Sequence, residues 1–190
     1  MSEEETLAAP FGKAEMSLLV LLDEVPPNGL EIDHKAETHV LKALAGRFNV
    51  EKVADLHFQA LLLPLDKQCL QANGTVRGRV RQICGVTLEP LWTDIEQNFY
   101  AEFQPQELVA SYIVPEDDFD TELPEAMQNG QADVGEMVTQ VFAMEIPAYP
   151  RVEGAEFGGY GQSEAEIEAE DAEQSPFAAL SALKPSDGQA

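Results

Sequence analysis

Alternating apolar and polar positions mark the middle of the chain. Within residues 53–62, Leu56, Phe58, Ala60 and Leu62 fall on one face, and Asp55, His57 and Gln59 fall on the other. The same period runs through 75–83 and 91–103, where Ile95, Phe99 and Phe103 oppose Glu96, Asn98 and Glu102. A period of two is typical of strands with one buried face. Because successive strands usually pair, the pattern predicts an antiparallel meander.

Turn residues divide the predicted strands. The apolar run 16–22 predicts a strand, and the Pro-Pro-Asn-Gly sequence at 26–29 predicts the turn that ends it. Asn73-Gly74 is the best hairpin signal in the chain. It predicts a turn between a short strand at 68–72 and the strand at 75–83.

Two segments have helical spacing. Residues 31–50 predict a helix with Asp33 as N-cap and with Ala36, Val40, Ala43 and Leu44 toward the core. Asp133 begins a second helix with a buried stripe of Val134, Met137, Val138, Val141, Phe142 and Met144. The predicted fold class is therefore α+β, an antiparallel meander sheet packed with two helices, with long acidic loops and a short C-terminal helix.

The 190 residues are enough for one domain with a core. We expect a flexible arm at 1–14, a single domain at 15–151 and, within it, a mobile acidic loop at 104–130. An acidic, disordered linker follows at 152–174, then a short helix at 175–184 and a tail at 185–190. The predicted C-terminal helix carries Pro176 in its first turn, and its candidate docking residues are Pro176, Phe177, Leu180, Leu183 and Lys184. Docking into a partner groove and packing on its own sheet both remain open.

Charge narrows the classes of partner. The formal net charge is -24, and eight of the eleven Lys and Arg residues lie between Lys35 and Arg81. Such an imbalance repels nucleic acid at long range and attracts basic partners. Acidic loops that only maintain solubility are the alternative.

The sequence favours a cytoplasmic monomer that does not associate with membranes. Its acidic N-terminus lacks the features of a signal peptide, and its longest apolar run, at 60–65, is too short to cross a membrane. The two cysteines do not resemble a secreted disulfide framework.

The chain offers little for catalysis. His34, His39 and His57 are predicted to be surface residues, and no Gly-rich phosphate loop is present. Carboxylates are so abundant that pairs of them carry no weight as acid–base groups. We therefore expect no enzyme, no catalytic residue, no cofactor and no metal.

Arg77, Arg79 and Arg81 are the candidate binding residues. On a strand they project from one face at a spacing of about 6.5–7 Å, which suits a phosphate backbone or a row of carboxylates. The alternative is that they form cross-strand ion pairs with Glu96, Glu102 or Asp55.

Three stretches together resemble the YceD family, the large ribosomal RNA subunit accumulation proteins. The family's centre has a C-x-x-C-L-x-P sequence, and Cys84, Leu88 and Pro90 match that frame. The stretch ADVGEMVTQVFAMEIPAYPR resembles the family's acidic helix, and SPFAALSALK resembles its C-terminal motif. Thr87 stands where many relatives have the second cysteine, and their later His or Cys cluster is absent. A zinc site needs about four such ligands, so we predict instead a tight turn with Cys84 packed inside it.

The resemblance implies a role in the synthesis, processing or stability of large-subunit ribosomal RNA. Two mechanisms stay open: the arginines contact pre-large-subunit ribosomal RNA, or the acidic surface holds a basic ribosomal protein. A different class, an acidic protein-interaction adaptor or nucleic-acid mimic unrelated to ribosomes, would also suit a charge of -24.

Overall fold

The computed structural model describes residues 14–113 and 123–156. Nearly all of the predicted N-terminal arm, most of the linker, the C-terminal helix with its candidate docking residues, and the tail lie outside these residues. The structure therefore does not test those predictions or the domain boundaries.

The main sheet has five strands in the order β2-β3-β4-β5-β6. Their bounds are Leu30–Lys35 (β2), Lys52–Pro64 (β3), Leu70–Ile83 (β4), Pro90–Pro105 (β5) and Glu125–Met127 (β6). Strands β2 to β5 form an antiparallel meander, and β6 joins β5 in parallel. The helices are α1 (Thr38–Arg47), α2 (Gln106–Val109) and α3 (Val134–Met144). The predicted α+β class is confirmed.

Two short strands form a second sheet. Strand β1 (Leu19–Leu21) pairs antiparallel with β7 (Gln131–Asp133). Strand β1 is shorter than the predicted run at 16–22, because a 3-10 turn takes over at Leu22–Glu24. The turn at 26–29 is confirmed: the Gly29 N–H donates to the Pro26 carbonyl at 2.8 Å, and Gly29 has a φ of +93°. A positive φ of this kind favours glycine.

Strand β3 follows the predicted alternation, with one interruption. Leu56, Phe58, Ala60 and Leu62 are buried, as predicted. Asp55 has a φ of 55°, and the pairing with β4 shifts between Ala54 and His57. This bulge moves the buried set from odd to even positions, so that Val53 and Leu56 both face the core.

The helix predicted at 31–50 is wrong in its first third. Residues 30–35 form β2, so Asp33 is a strand residue, and the N-cap of α1 is Glu37. Half-buried and exposed positions alternate from Leu30 to Lys35, and pairing with β3 makes this period of two the decisive one. In α1, Leu44 is buried as predicted, whereas Ala43 is exposed.

The hairpin predicted at Asn73-Gly74 is also wrong. Strand β4 continues through both residues, with Gly74 opposite Ala60 of β3 and Phe99 of β5. A Cβ atom at Gly74 would lie 2.0 Å from the Gln59 carbonyl oxygen. The glycine therefore permits close approach of two strands and does not make a turn.

Helix α3 packs its apolar stripe into the core, and Phe142 at its centre is fully buried. Asp133 is its N-cap: the side chain accepts hydrogen bonds from the backbone N–H groups of Glu136 and Leu18. Met144, predicted to be buried, is 76% exposed because it occupies the last position of the helix.

The predicted loop at 104–130 contains two regular elements, α2 and β6, and its residues 114–122 lie outside the described part. No helix among the described residues is long and apolar enough to span a membrane.

Candidate partner-binding surfaces

The three predicted arginines lie together on the outer face of β4. We refer to Arg77, Arg79 and Arg81 as the arginine row. Strands β3 and β5 flank β4, and acidic residues of β5, together with Glu51 just before β3, lie within reach of the guanidinium groups. Arg77 is opposite Glu96, and Arg79 is opposite Asp94.

Each arginine of the row forms an ion pair. The N···O distances are 2.9 Å for Arg77–Glu96, 2.8 Å for Arg79–Asp94 and 2.9 Å for Arg81–Glu51. Glu96 is one of the three partners named from the sequence. Of the other two, Glu102 accepts a hydrogen bond from the Tyr100 hydroxyl, and Asp55 forms no ion pair with any described residue. The most basic stretch of the chain is thus neutralised by its neighbours.

The sequence pattern did not lead us to name Trp92 as a candidate binding residue. It lies opposite Arg81 on β5, and the guanidinium carbon of Arg79 is 4.9 Å from its ring centroid. The Lys52 ammonium is 5.9 Å from the same ring. Both distances are typical of cation–π contacts. The parity of Trp92, which it shares with Glu96, was the available signal for its outward orientation.

Cys84 begins the turn between β4 and β5. Its side chain is fully buried, and its Sγ accepts backbone hydrogen bonds from Val86, Thr87 and Val152 at 3.3–3.4 Å. The hydrogen bond from the Thr87 side chain, followed by the backbone hydrogen bonds, lowers the pKa of Cys84 to about 6 against the opposing effect of burial. Leu88 in the same turn has a φ of 60° and is exposed, and Pro90 begins β5.

The three histidines contact different neighbours. His57 is hydrogen-bonded to Asp33 at 2.8 Å, His34 packs beside the Phe58 ring, and His39 lies 3.2 Å from Glu37. Within 14–113 and 123–156, no three His, Cys, Asp or Glu side chains are placed to hold a metal ion.

Two of the grooves among the described residues lie beside the short strands β6 and β1. The larger, about 530 Å³, lies among β5, β6 and α3, and the exposed Met144 lines it. Glu125 at this groove has a raised pKa, mainly because of burial and secondarily because of the Glu136 charge. The second, about 410 Å³, lies between β1 and β2 and is lined by Glu24, Glu31 and Asp33 among others. This second groove was not expected from the sequence, because residues 31–35 were predicted to be helical and not to form the strand β2 that lines it.

One comparison with known proteins identifies the family of the chain. A family model described as Large ribosomal RNA subunit accumulation protein YceD matches residues 72–184, more than half of the chain. The matched part begins in β4 and includes the arginine row, the Cys84 turn and α3. Comparisons with curated proteins and with solved structures gave no match. The chain therefore belongs to the YceD family of large ribosomal RNA subunit accumulation proteins.

Proposed function

We propose that this protein is a non-enzymatic factor in the cytoplasm that supports large-subunit ribosomal RNA by holding a basic ribosomal protein on its acidic surface. Membership of the YceD family supports a role in ribosome biogenesis. The net charge of -24 supports the choice of a basic partner, because a field of this sign attracts cations and repels phosphates.

The ion pairs of the arginine row favour a protein partner over RNA. Each guanidinium is already paired with a carboxylate, which offsets its positive charge and repels a phosphate that approaches the same group. Glu51, Asp94 and Glu96 oppose RNA at all three positions of the row. The histidines support the non-enzymatic part, because none is hydrogen-bonded to a hydroxyl or thiol of a described residue.

The test is a binding comparison with the purified full chain. Fluorescence anisotropy is recorded with labelled basic large-subunit ribosomal proteins and with a transcribed large-subunit RNA fragment, each at two salt concentrations. We expect binding of at least one basic protein, weakened by salt, and weaker or no binding of RNA. Two matched variants separate the surfaces: Arg77→Gln/Arg79→Gln/Arg81→Gln removes the row, and Glu51→Gln/Asp94→Asn/Glu96→Gln frees it. Tight binding of wild-type protein to RNA that only the arginine variant loses would overturn the proposal.

Direct RNA contact is the second candidate, and one observation favours it: Trp92 is partly exposed beneath Arg79, a combination on which a base can stack. Trp92 is the only tryptophan, so its fluorescence reports on this face alone. Quenching by single-stranded RNA that disappears in Arg79→Gln would support this candidate. An unchanged signal at saturating RNA would exclude stacking at Trp92.

A further inference from the structure

Two strand edges face the groove between β1 and β2. Among the described residues, each strand pairs on one side only, β1 with β7 and β2 with β3. The groove of about 410 Å³ is lined by residues of both strands. It lies before residue 72, outside the part of the chain that the family model matches.

The backbone of these strands presents unpaired groups to the groove. In β1, the carbonyl of Leu18 and the N–H of Leu22 bond toward β7, so the intervening Leu19 and Leu21 direct theirs away from it. The Ala36 N–H bonds to Leu56 of β3. By the same alternation Glu31, Asp33 and Lys35 direct their backbone groups away from β3, and no described residue pairs with them there. Such an edge is a template for a further strand.

The side chains of β2 on the core side are incompletely covered. Leu30 and Ile32 are only half-buried, whereas their neighbours Leu62 and Ala60 on β3 are buried. Leu19 of β1 is 56% exposed. An additional strand would cover this apolar surface, and the gain from burial is proportional to the area covered.

The charges at the groove favour a basic occupant. Glu24, Glu31 and Asp33 line it, and no Lys or Arg among the described residues does. Hydrogen bonds from Gln59 and His57 lower the pKa of Asp33, which keeps that carboxylate ionised at neutral pH. Successive side chains of a strand point to opposite faces. An added strand would therefore meet carboxylates with every second side chain and apolar surface with the others.

We propose that this groove binds an extended segment of a basic protein, which adds a strand to the edge of β2 with Lys or Arg beside Glu31 and Asp33 and apolar residues over Leu30 and Ile32. The inference rests on the proposed function for the nature of the partner, and it specifies where and in what conformation the partner binds.

The probe is a labelled peptide of alternating Lys and Val, compared with two versions that carry N-methyl groups on the Lys amides or on the Val amides. All three have the same charge. We expect at least one methylated peptide to bind about tenfold more weakly than the parent, because it loses backbone donors to the strand edge. Equal affinity for the three peptides would overturn the proposal, since attraction between charges alone does not need a free amide.

Variants of the chain give an independent test with the unmethylated peptide. Glu31→Gln is expected to weaken binding severalfold, whereas Glu107→Gln, the same charge change on α2, leaves it unchanged. Glu31→Pro removes an N–H directed away from β3, and it should abolish binding if circular dichroism shows a native fold. Equal effects of the two Gln substitutions would overturn the proposal, even if the proline variant does not fold.

The same variants distinguish failure of this inference from failure of the proposed function. A basic ribosomal protein that binds the wild type and both Glu31 variants equally contradicts the groove alone. Failure of every basic protein to bind the wild type contradicts both. A wild-type dimer in sedimentation velocity that Glu31→Pro dissociates makes a second copy the occupant and also overturns the inference.

Discussion

Arg79 lies over the indole ring of Trp92, 4.9 Å from the ring centroid, while its Nε is 2.8 Å from a carboxylate oxygen of Asp94. One guanidinium thus joins an aromatic ring and a carboxylate of the same strand. The group remains partly exposed, so both contacts are weakened by water.

We expect a double-mutant cycle of Arg79→Gln and Trp92→Ala to give a coupling energy of about 0.5–1 kcal/mol. The free energies of unfolding are measured in urea by circular dichroism, because the second substitution removes the only tryptophan. The control cycle pairs Arg79→Gln with Tyr100→Ala, an exposed aromatic residue of β5 whose hydroxyl donates to Glu102. Strict additivity in the first cycle would contradict the cation–π contact.

A second prediction concerns Arg47, which joins three parts of the chain. Its guanidinium donates twice to Glu136 of α3, at 2.6 and 2.8 Å, and once to Glu15 at 2.9 Å. These hydrogen bonds lower the pKa of Glu136 and raise that of Arg47. Arg47→Ala should cost about 1–2 kcal/mol of the free energy of unfolding, because the pair is bidentate and partly buried. Arg77→Ala, in a more exposed pair, should cost less than about 0.5 kcal/mol. Equal costs in urea unfolding would show that burial does not distinguish the two pairs.

Gly74 and Gly46 make a matched pair for substitution by alanine. At Gly74 a Cβ would lie 2.0 Å from the Gln59 carbonyl oxygen, so Gly74→Ala must separate β3 from β4 and should cost about 3 kcal/mol or more. At Gly46 in α1 no described residue beyond the adjoining turns of the helix lies within 4 Å of the added atom. Gly46→Ala should therefore raise the free energy of unfolding by about 0.5–1 kcal/mol, because alanine favours helix. Thermal denaturation measures both, and a stable Gly74→Ala protein would contradict the close approach of the strands.

Cys84 gives the protein a predicted pH dependence. Its pKa is about 6 in the folded chain, against 9.0 for an ordinary thiol. Between these values the unfolded chain holds a proton that the folded chain has lost, so the free energy of unfolding should rise as pH increases from 6 to 9. As pH falls through 6 this contribution disappears. Urea unfolding of wild type and Cys84→Ala across this range isolates the effect of the thiol. The same pH slope in both proteins would contradict the lowered pKa.

Strands with one solvent-exposed face could be predicted from the sequence, because burial of the other face imposes a period of two on the apolar residues. That is why the buried positions of β3 and β5, and most of those of α3, were correct. Turn signals in a few adjacent residues gave the wrong secondary structure where pairing with neighbouring strands determined the backbone conformation. Asn73-Gly74 has the sequence of a hairpin, yet the flanking strands β3 and β5 hold it in an extended ladder.

The candidate surfaces were predicted less completely. The arginine row and its pairing with Glu96 follow from parity along one strand. Pairing of Arg81 with Glu51 depends on where the bulge at Asp55 places β3, and one sequence gives no sign of such a bulge. The groove beside β2 requires the relative position of two strands in different sheets, which no local pattern contains.

Glu31, Asp33 and Lys35 have a second consequence for the behaviour of this protein in solution. A flat apolar strand left open at the side of a sheet invites stacking with other molecules, and charged residues there discourage it. The net charge of the whole chain, which also keeps its molecules apart, approaches zero near its isoelectric point of about 4.2. Self-association through this strand edge should therefore be strongest near that pH, where repulsion between copies of the chain is weakest.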